Sequence, residues 1–218
     1  MSISEEMYAY FNASLWPAEK RRLAELANSS KGEFIIEVGV FRGETTKYLA
    51  ENTNKRIIAI DPYEMTDNDN QTIKDAFYEN CKEHLESGRI AHIERRSVDA
   101  HTNLTPIIER NCALVFIDWD ANGEQHLKDF TDYGNYVASD GFLVAHDFFD
   151  VGSFNKHKHL SFAIGEYMKV IDRELVWNSM LYYPKHSEMK YAMEYYNGSP
   201  DFFYQNRSRG LVWTSPNP

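Results

Sequence analysis

The stretch GEFIIEVGVFRG, residues 32–43, decides the fold of this chain. Residues 34–38 within it read FIIEV, an apolar run that is broken only by Glu37 and that closes on Gly39. This composition predicts a buried parallel strand, because a half-exposed strand would alternate apolar and polar residues. The strand and the turn after it set the position of every later element.

Two glycines follow the predicted strand, at positions 39 and 43, and residues 44–52 have the composition of a helix. A glycine at 39 allows a sharp turn and lets a ligand approach the backbone closely. The first turn of the next helix presents unpaired N–H groups and a partial positive charge. The spacing Glu-x-Gly-x-x-x-Gly differs from a dinucleotide-binding Gly-x-Gly-x-x-Gly. The unit predicts a nucleotide-type site, and a plain strand–turn–helix is the alternative.

A second apolar run, KRIIAID at residues 55–61, ends on an acid. Asp61 follows Glu37 by 61 − 37 = 24 positions, about the distance that brings the second strand of a β–α–β unit to the same ligand. An acid at this place hydrogen-bonds ribose hydroxyls in nucleotide-binding folds. The structural alternative is a surface aspartate that begins a turn before Pro62.

The segments EVGVFRG and IIAIDPY together resemble the first two motifs of class I S-adenosylmethionine-dependent methyltransferases. The resemblance spans Phe34 to Phe149 and is closest to the metal-assisted small-molecule O-methyltransferase branch. Three further segments continue it: RIAHIERRSVDA, CALVFIDWDANGEQHLKDF and SDGFLVAHDFF.

The resemblance implies a fold and a cofactor for the whole chain. It implies one α/β domain over residues 1–218, doubly wound, with a mostly parallel seven-stranded sheet and an antiparallel last strand. The implied cofactor is S-adenosylmethionine. The residues that the resemblance assigns to the cofactor are Glu37, Gly39, Gly43, Asp61, Ser97 and Asp118. For Ser97, the alternative to a cofactor contact is the N-cap of a helix.

A second group of polar residues follows the predicted fourth and fifth strands. Asp118 ends the fourth strand, and His146 and Asp147 end the fifth. Carboxylates suit Mg²⁺, whereas an imidazole suits Mn²⁺, Fe²⁺ or Zn²⁺ better. In the metal-dependent relatives the ligands fall on these three positions, which predicts a divalent-cation site. The alternative is a helix cap and a hydrogen-bonded histidine without a metal.

The resemblance implies displacement at the cofactor's methyl carbon by an oxygen of a small hydroxyl compound. The protein must align the two atoms and remove a proton. A divalent cation would lower the pKa of the hydroxyl, and Asp118 and His146 are the candidate catalytic residues. Relatives often carry a lysine or histidine where this chain has Ala121 and Asn122. Two rivals therefore stay open: a metal-dependent hydroxylase-like enzyme of the same fold, and a degenerate nucleoside-binding protein.

Two flanking regions carry weaker predictions. Residues 1–30 are predicted to form short N-terminal helices, with Pro17 as a break or a first-turn residue; a lid over the cofactor is their functional alternative. Residues 184–209 form an aromatic-rich insertion, which predicts a wall of the substrate pocket or a homodimer contact.

Composition limits the partners of the chain. The formal net charge of −10 disfavours nucleic acid and anionic membranes, because phosphate binding needs clustered Lys and Arg. No run approaches the roughly 20 apolar residues of a membrane span. The N-terminal residues lack the pattern of a signal peptide, which predicts a cytoplasmic protein. Cys81 and Cys112 do not form a disulfide framework, and Cys112 is predicted to be buried.

Overall fold

Five parallel strands form the centre of the sheet in the computed structural model. The structure describes residues 15, 17–64, 70–104, 108, 110–119, 123–146, 175–177 and 212–214. The strands are β1 (Phe34–Val38), β2 (Arg56–Ile60), β3 (Ile90–Ile93), β4 (Cys112–Ile117) and β5 (Val137–Ala145).

Strand β1 lies in the middle of the sheet, as its apolar sequence predicts. It pairs in parallel with β2 on one side and β4 on the other, so that Val38 lies between Ile60 and Ile117. The five strands have the order β3-β2-β1-β4-β5, and the direction of winding reverses between β1 and β4. In such sheets the crevice at the carboxyl ends of the strands, beside the reversal, is where ligands bind.

Two short segments extend the sheet beyond β5. They are β6 (Leu175–Trp177) and β7 (Val212–Thr214); β7 pairs antiparallel with both β5 and β6. The predicted doubly wound α/β fold with a mostly parallel sheet is confirmed by β1 to β5. The prediction of seven strands with an antiparallel last strand depends on these two three-residue segments, and the full hairpin stays a prediction.

Helices cover both faces of the sheet. One face carries α1 (Pro17–Ser29), α2 (Glu44–Asn52) and α3 (Asn70–Glu86), and the other carries α4 (Ser97–Ala100) and α5 (Gly123–Gly134). Alternate residues of β1 divide between the two cores: Ile35 packs with the first set of helices and Ile36 with the second. Burial on both faces explains why β1 and β4 are almost continuously apolar.

Of the predicted N-terminal helices, the described residues contain α1. Pro17 is its first residue, which is the first-turn alternative of the prediction and agrees with the preference of proline for that position. Residues 1–14, the insertion at 184–209 and Asp147 lie outside the described residues. Both cysteines are buried and free, as predicted for Cys112. Within the described part of the chain, no helix has the length and apolarity to cross a membrane.

Candidate active site

The bend after β1 depends on a glycine for two separate reasons. Gly39 has φ +88°, in the left-handed region that favours glycine. A Cβ at this position would also clash with the backbone carbonyl of Asp118 and lie 2.9 Å from the Cβ of Trp119. The predicted turn is present, and the glycine allows the end of β4 to approach the bend closely. Contact between Gly39 and a cofactor stays a prediction.

The second glycine of the motif serves the packing of two helices. Gly43 precedes α2 with φ +76°. A Cβ there would lie 2.6 Å from Cδ2 of Phe77 and 2.9 Å from Sγ of Cys81, both on α3. Gly43 therefore allows α3 to approach the beginning of α2. Contact between Gly43 and a cofactor stays a prediction.

Asp61 ties the end of β2 to the bend after β1. Its Oδ2 accepts hydrogen bonds from the backbone N–H groups of Val40 and Phe41, both at 2.9 Å. Its Oδ1 accepts one from the N–H of Tyr63 at 2.8 Å. These bonds hold Phe41 and Tyr63 at positive φ, 52° and 51°. The two predicted cofactor elements thus lie together at one crevice.

Glu37 is a buried acid directly behind this bend. Glu37 lies on β1 and is 1 % exposed. Burial raises the pKa of the Glu37 carboxyl to about 8, an effect that the Thr46 side chain opposes and the Asp118 charge reinforces. A carboxyl with this pKa is largely protonated at neutral pH and can donate a hydrogen bond.

A buried line of three side chains joins the ends of β4 and β5 to α1. Nδ1 of His146 lies 3.0 Å from Oδ1 of Asp118, and Nε2 lies 3.4 Å from Oε1 of Glu19. The exposed fractions of the side chains are 1 % for His146, 0 % for Glu19 and 17 % for Asp118. Asp118 is therefore the member of the line that reaches solvent.

This arrangement bears on the predicted catalytic and metal-binding roles. Both ring nitrogens of His146 face carboxylates, so either nitrogen would have to leave its partner before it could ligate a metal. In the part of the chain that the structure describes, no cluster of three or more His, Cys, Asp or Glu residues has the arrangement of a metal site. The metal roles of Asp118, His146 and Asp147 stay predictions.

Sequence reasoning missed Glu19, although a signal for it exists. Glu19 lies four residues before Leu23, and Leu23 and Ala27 face the core from α1. Residues four apart share one face of a helix. An acid in register with an apolar face, at the first turn of a helix, indicates a buried partner elsewhere in the fold.

Ser97 and Trp119 lie on the opposite face of the sheet from α1. Ser97 begins α4 and is buried, and its carbonyl accepts a hydrogen bond of 2.7 Å from the Tyr133 hydroxyl. Trp119 follows Asp118, and its Nε1 donates to Oδ2 of the buried Asp129 at 2.9 Å. Burial raises the pKa of Asp129. Trp119 was missed by sequence reasoning, and the adenine contact of Ser97 stays a prediction.

The sequence model of a methyltransferase domain matches residues 36–148, just over half of the chain. The match begins in β1 and ends after β5, so it covers both sides of the crevice. The chain belongs to this methyltransferase family. The class I resemblance carried by EVGVFRG and IIAIDPY is thereby confirmed.

Relatives of this methyltransferase are distant. The O-methyltransferase TomG from Streptomyces achromogenes, solved in complex with SAM, has a TM-score of 0.62 at 13% identity, over 98% of this chain and 91% of TomG. A methyltransferase from Geobacter sulfurreducens has a TM-score of 0.58 at 13% identity, over 100% of this chain and 92% of its own. At such identities the likeness shows the fold alone.

A curated relative is an uncharacterized protein, R132, of Acanthamoeba polyphaga mimivirus. It is 27% identical over 134 residues, which are 59% of this chain and 58% of that protein. The aligned part thus spans less than two thirds of the viral protein.

Proposed function

We propose that this methyltransferase transfers the methyl group of S-adenosylmethionine to an oxygen atom of a small hydroxyl compound. The observation that carries the proposal is the contact of the Asp61 carboxylate with the backbone of the bend that follows Gly39. This contact lies at the carboxyl ends of the strands beside the reversal of winding, where ligands bind in such sheets. The family match supports a methyl donor as the ligand.

The acids of the crevice suit a cofactor that carries a sulfonium charge. Oδ1 of Asp61 accepts one hydrogen bond within the described residues, and a carboxylate oxygen has capacity for a further donor such as a ribose hydroxyl. Asp118 lies beside Gly39 and is partly open to solvent. A carboxylate near a sulfonium stabilises the positive charge.

Transfer to a hydroxyl requires alignment of the oxygen with the methyl carbon and removal of a proton. Asp118 is the group of the buried line that can contact an acceptor, because His146 and Glu19 are enclosed. We therefore assign the contact with the acceptor hydroxyl to Asp118 and a supporting role to His146. TomG, which is named an O-methyltransferase, makes oxygen acceptors the first class to test.

The side chains at the ends of β4 and β5, Asp118 and His146, suit a divalent cation only in part. The Asp118 carboxylate offers the oxygen ligands that Mg²⁺ prefers. His146 does not fit as a ligand while both of its nitrogens face carboxylates. We derive no step through a metal, and thermal melts with Mg²⁺ or Mn²⁺, with Asp118→Ala as control, test metal assistance.

Calorimetry on the purified chain tests the cofactor. We expect S-adenosylmethionine and S-adenosylhomocysteine to bind and NAD not to bind. Binding of NAD alone would overturn the proposal. The release of S-adenosylhomocysteine with a panel of hydroxyl compounds then tests the reaction; binding without turnover on the whole panel would favour the degenerate nucleoside-binding protein.

A further inference from the structure

Glu19 is a fully buried acid at a core-facing position of α1, where an apolar residue would be expected. It lies in the first turn of α1, on the face that carries Leu23 and Ala27 into the core. Its side chain has an exposed fraction of 0 %. Burial of a carboxylate costs free energy unless a charged or hydrogen-bonding partner compensates. Among the described residues, Nε2 of His146 is a partner of this carboxylate, 3.4 Å from Oε1.

The two carboxylates hold opposite sides of the same imidazole ring. Nδ1 of His146 is 3.0 Å from Asp118 and Nε2 is 3.4 Å from Glu19. A histidine with one such contact can rotate about its χ2 bond, whereas a histidine with two loses both contacts on rotation. The group on one nitrogen therefore determines how the other nitrogen is presented.

The same turn of α1 also contacts the beginning of α2. Nζ of Lys20 lies 3.5 Å from Oε2 of Glu44, the first residue of α2. Consecutive residues of α1 thus reach the end of β5 and the helix that follows the Gly39 bend. The first turn of α1 is fixed against the rim of the crevice from two directions.

We propose that Glu19 is a positioning residue of the methyl-transfer site. Glu19 fixes the ring of His146, and His146 fixes the Oδ1 side of the Asp118 carboxylate, so that the other oxygen of Asp118 is directed to the crevice. The inference rests on the function proposed above, because it needs a ligand at Asp118. Glu19 itself touches neither cofactor nor acceptor, and it acts through His146.

A double-mutant cycle between Glu19 and Asp118 tests this action. Dissociation constants of S-adenosylmethionine are measured by calorimetry for the wild type, Glu19→Ala, Asp118→Asn and the double variant. We expect Glu19→Ala to weaken binding about tenfold in the wild type and less than about twofold when Asp118 is already replaced. Equal losses in both backgrounds would overturn the proposal, since they would mean that Glu19 only stabilises α1.

Two variants on the same helix separate positioning from folding. Glu19→Gln keeps an oxygen acceptor of similar reach, so it should restore affinity to within about threefold of wild type. Glu25→Ala removes a carboxylate that points to solvent and pairs with Arg22, so it should bind like wild type. Melting temperatures of all variants show whether a loss of affinity follows a loss of stability.

The ring N–H protons of His146, assigned with His146→Gln, supply a readout that needs no cofactor. We expect a slowly exchanging Nε2–H signal in the wild type and Glu19→Gln, and its loss in Glu19→Ala, because Nε2 is the ring nitrogen that faces Glu19. If Asp118→Asn binds S-adenosylmethionine too weakly to complete the cycle, the ring N–H signal and the recovery of affinity in Glu19→Gln test the proposal instead. A wild type that fails to bind S-adenosylmethionine would overturn the proposed function, whereas a binding wild type with a signal independent of Glu19 would overturn this inference alone.

Discussion

The two sides of the crevice are built from different kinds of contact. On the β1–β2 side, Asp61 binds backbone N–H groups 20 and 21 positions before it and two positions after it. On the β4–β5 side, His146 contacts the side chains of Asp118 and Glu19. Those partners are 146 − 118 = 28 and 146 − 19 = 127 positions away.

This difference explains why the β1–β2 side of the crevice is easier to predict from the sequence than the β4–β5 side. Backbone contacts of a β–α–β unit lie within one short stretch of sequence, so a local motif can indicate them. Side-chain contacts between distant helices and strands need the tertiary fold first. We expect the first side to be robust to changes elsewhere, and the second to depend on α1.

We expect the largest loss of stability from Gly39→Ala, because Gly39 lies where the bend after β1 contacts the end of β4. The new Cβ meets the backbone of Asp118, which cannot move aside as a flexible side chain could. Positive φ and overpacking together should lower the free energy of unfolding by about 3 kcal/mol or more. Chemical denaturation measures this.

The matched control for this change is Gly88→Ala. Gly88 has φ +72°, but a Cβ there would meet nothing within 4 Å. Only the backbone strain remains, so the loss should be about 1 kcal/mol. Equal losses for the two variants would show that the new Cβ is accommodated against the end of β4 without overpacking.

Asp61→Ala tests the backbone-bonded side alone. It removes the acceptor of three backbone N–H groups, two of them in the bend. We expect a loss of about 2 kcal/mol in the free energy of unfolding, because hydrogen bonds to charged acceptors contribute more than neutral ones. Affinity for S-adenosylmethionine should fall about 100-fold, which is 2.7 kcal/mol, as the bend loosens and a ribose acceptor disappears.

Asp75→Ala is the comparison for that variant. Asp75 is exposed on α3 and accepts a hydrogen bond from Gln71 of the same helix. Its removal should leave both stability and affinity near wild type. An Asp61→Ala protein that binds S-adenosylmethionine normally would remove the crevice from the proposed function.

The extent of successful sequence prediction follows the same division. FIIEV was predicted as a buried strand because its residues are almost all apolar, and RIIAI was predicted as a second strand from its apolar run. The position of Asp61 beside the bend followed from spacing, whereas its hydrogen bonds to the backbone of Val40 and Phe41 were not predicted. The burial of Glu19 was not predicted, since the neighbouring Lys20, Arg21 and Arg22 indicate a solvated surface. Trp119 was missed because its partner Asp129 lies on a helix that only the fold brings near.

Glu37→Gln tests the β1–β2 side of the crevice through the pH dependence of folding stability. The folded pKa of Glu37 is about 8, above its unfolded value of 4.5. Between these values the folded protein holds a proton that the unfolded chain has released, so wild-type stability falls as pH rises towards 8. Relative to wild type, the glutamine variant should gain up to about 1.4 kcal/mol per pH unit in this window.

Denaturant titrations of wild type and Glu37→Gln at pH 6, 7 and 8 measure the difference. Above pH 8 both folded and unfolded Glu37 are ionised, so the two curves should run parallel there. Curves that run parallel from pH 6 would contradict the raised pKa. In that case the sulfonium would face an ionised acid behind the bend at neutral pH, and the two sides of the crevice would carry similar charge.

Trp119→Phe tests the β4 side with the smallest expected effect. The change keeps an aromatic ring but removes the indole N–H that Asp129 accepts. We expect a loss of about 1 kcal/mol, at the lower end for a buried carboxylate, because Gln125 still donates to it at 3.0 Å. Gln125→Leu removes a second donor and should cost a similar amount. If Trp119→Phe costs more than Asp61→Ala, the comparison is reversed, and side-chain contacts at the end of β4 stabilise the crevice more than the backbone contacts of the bend do.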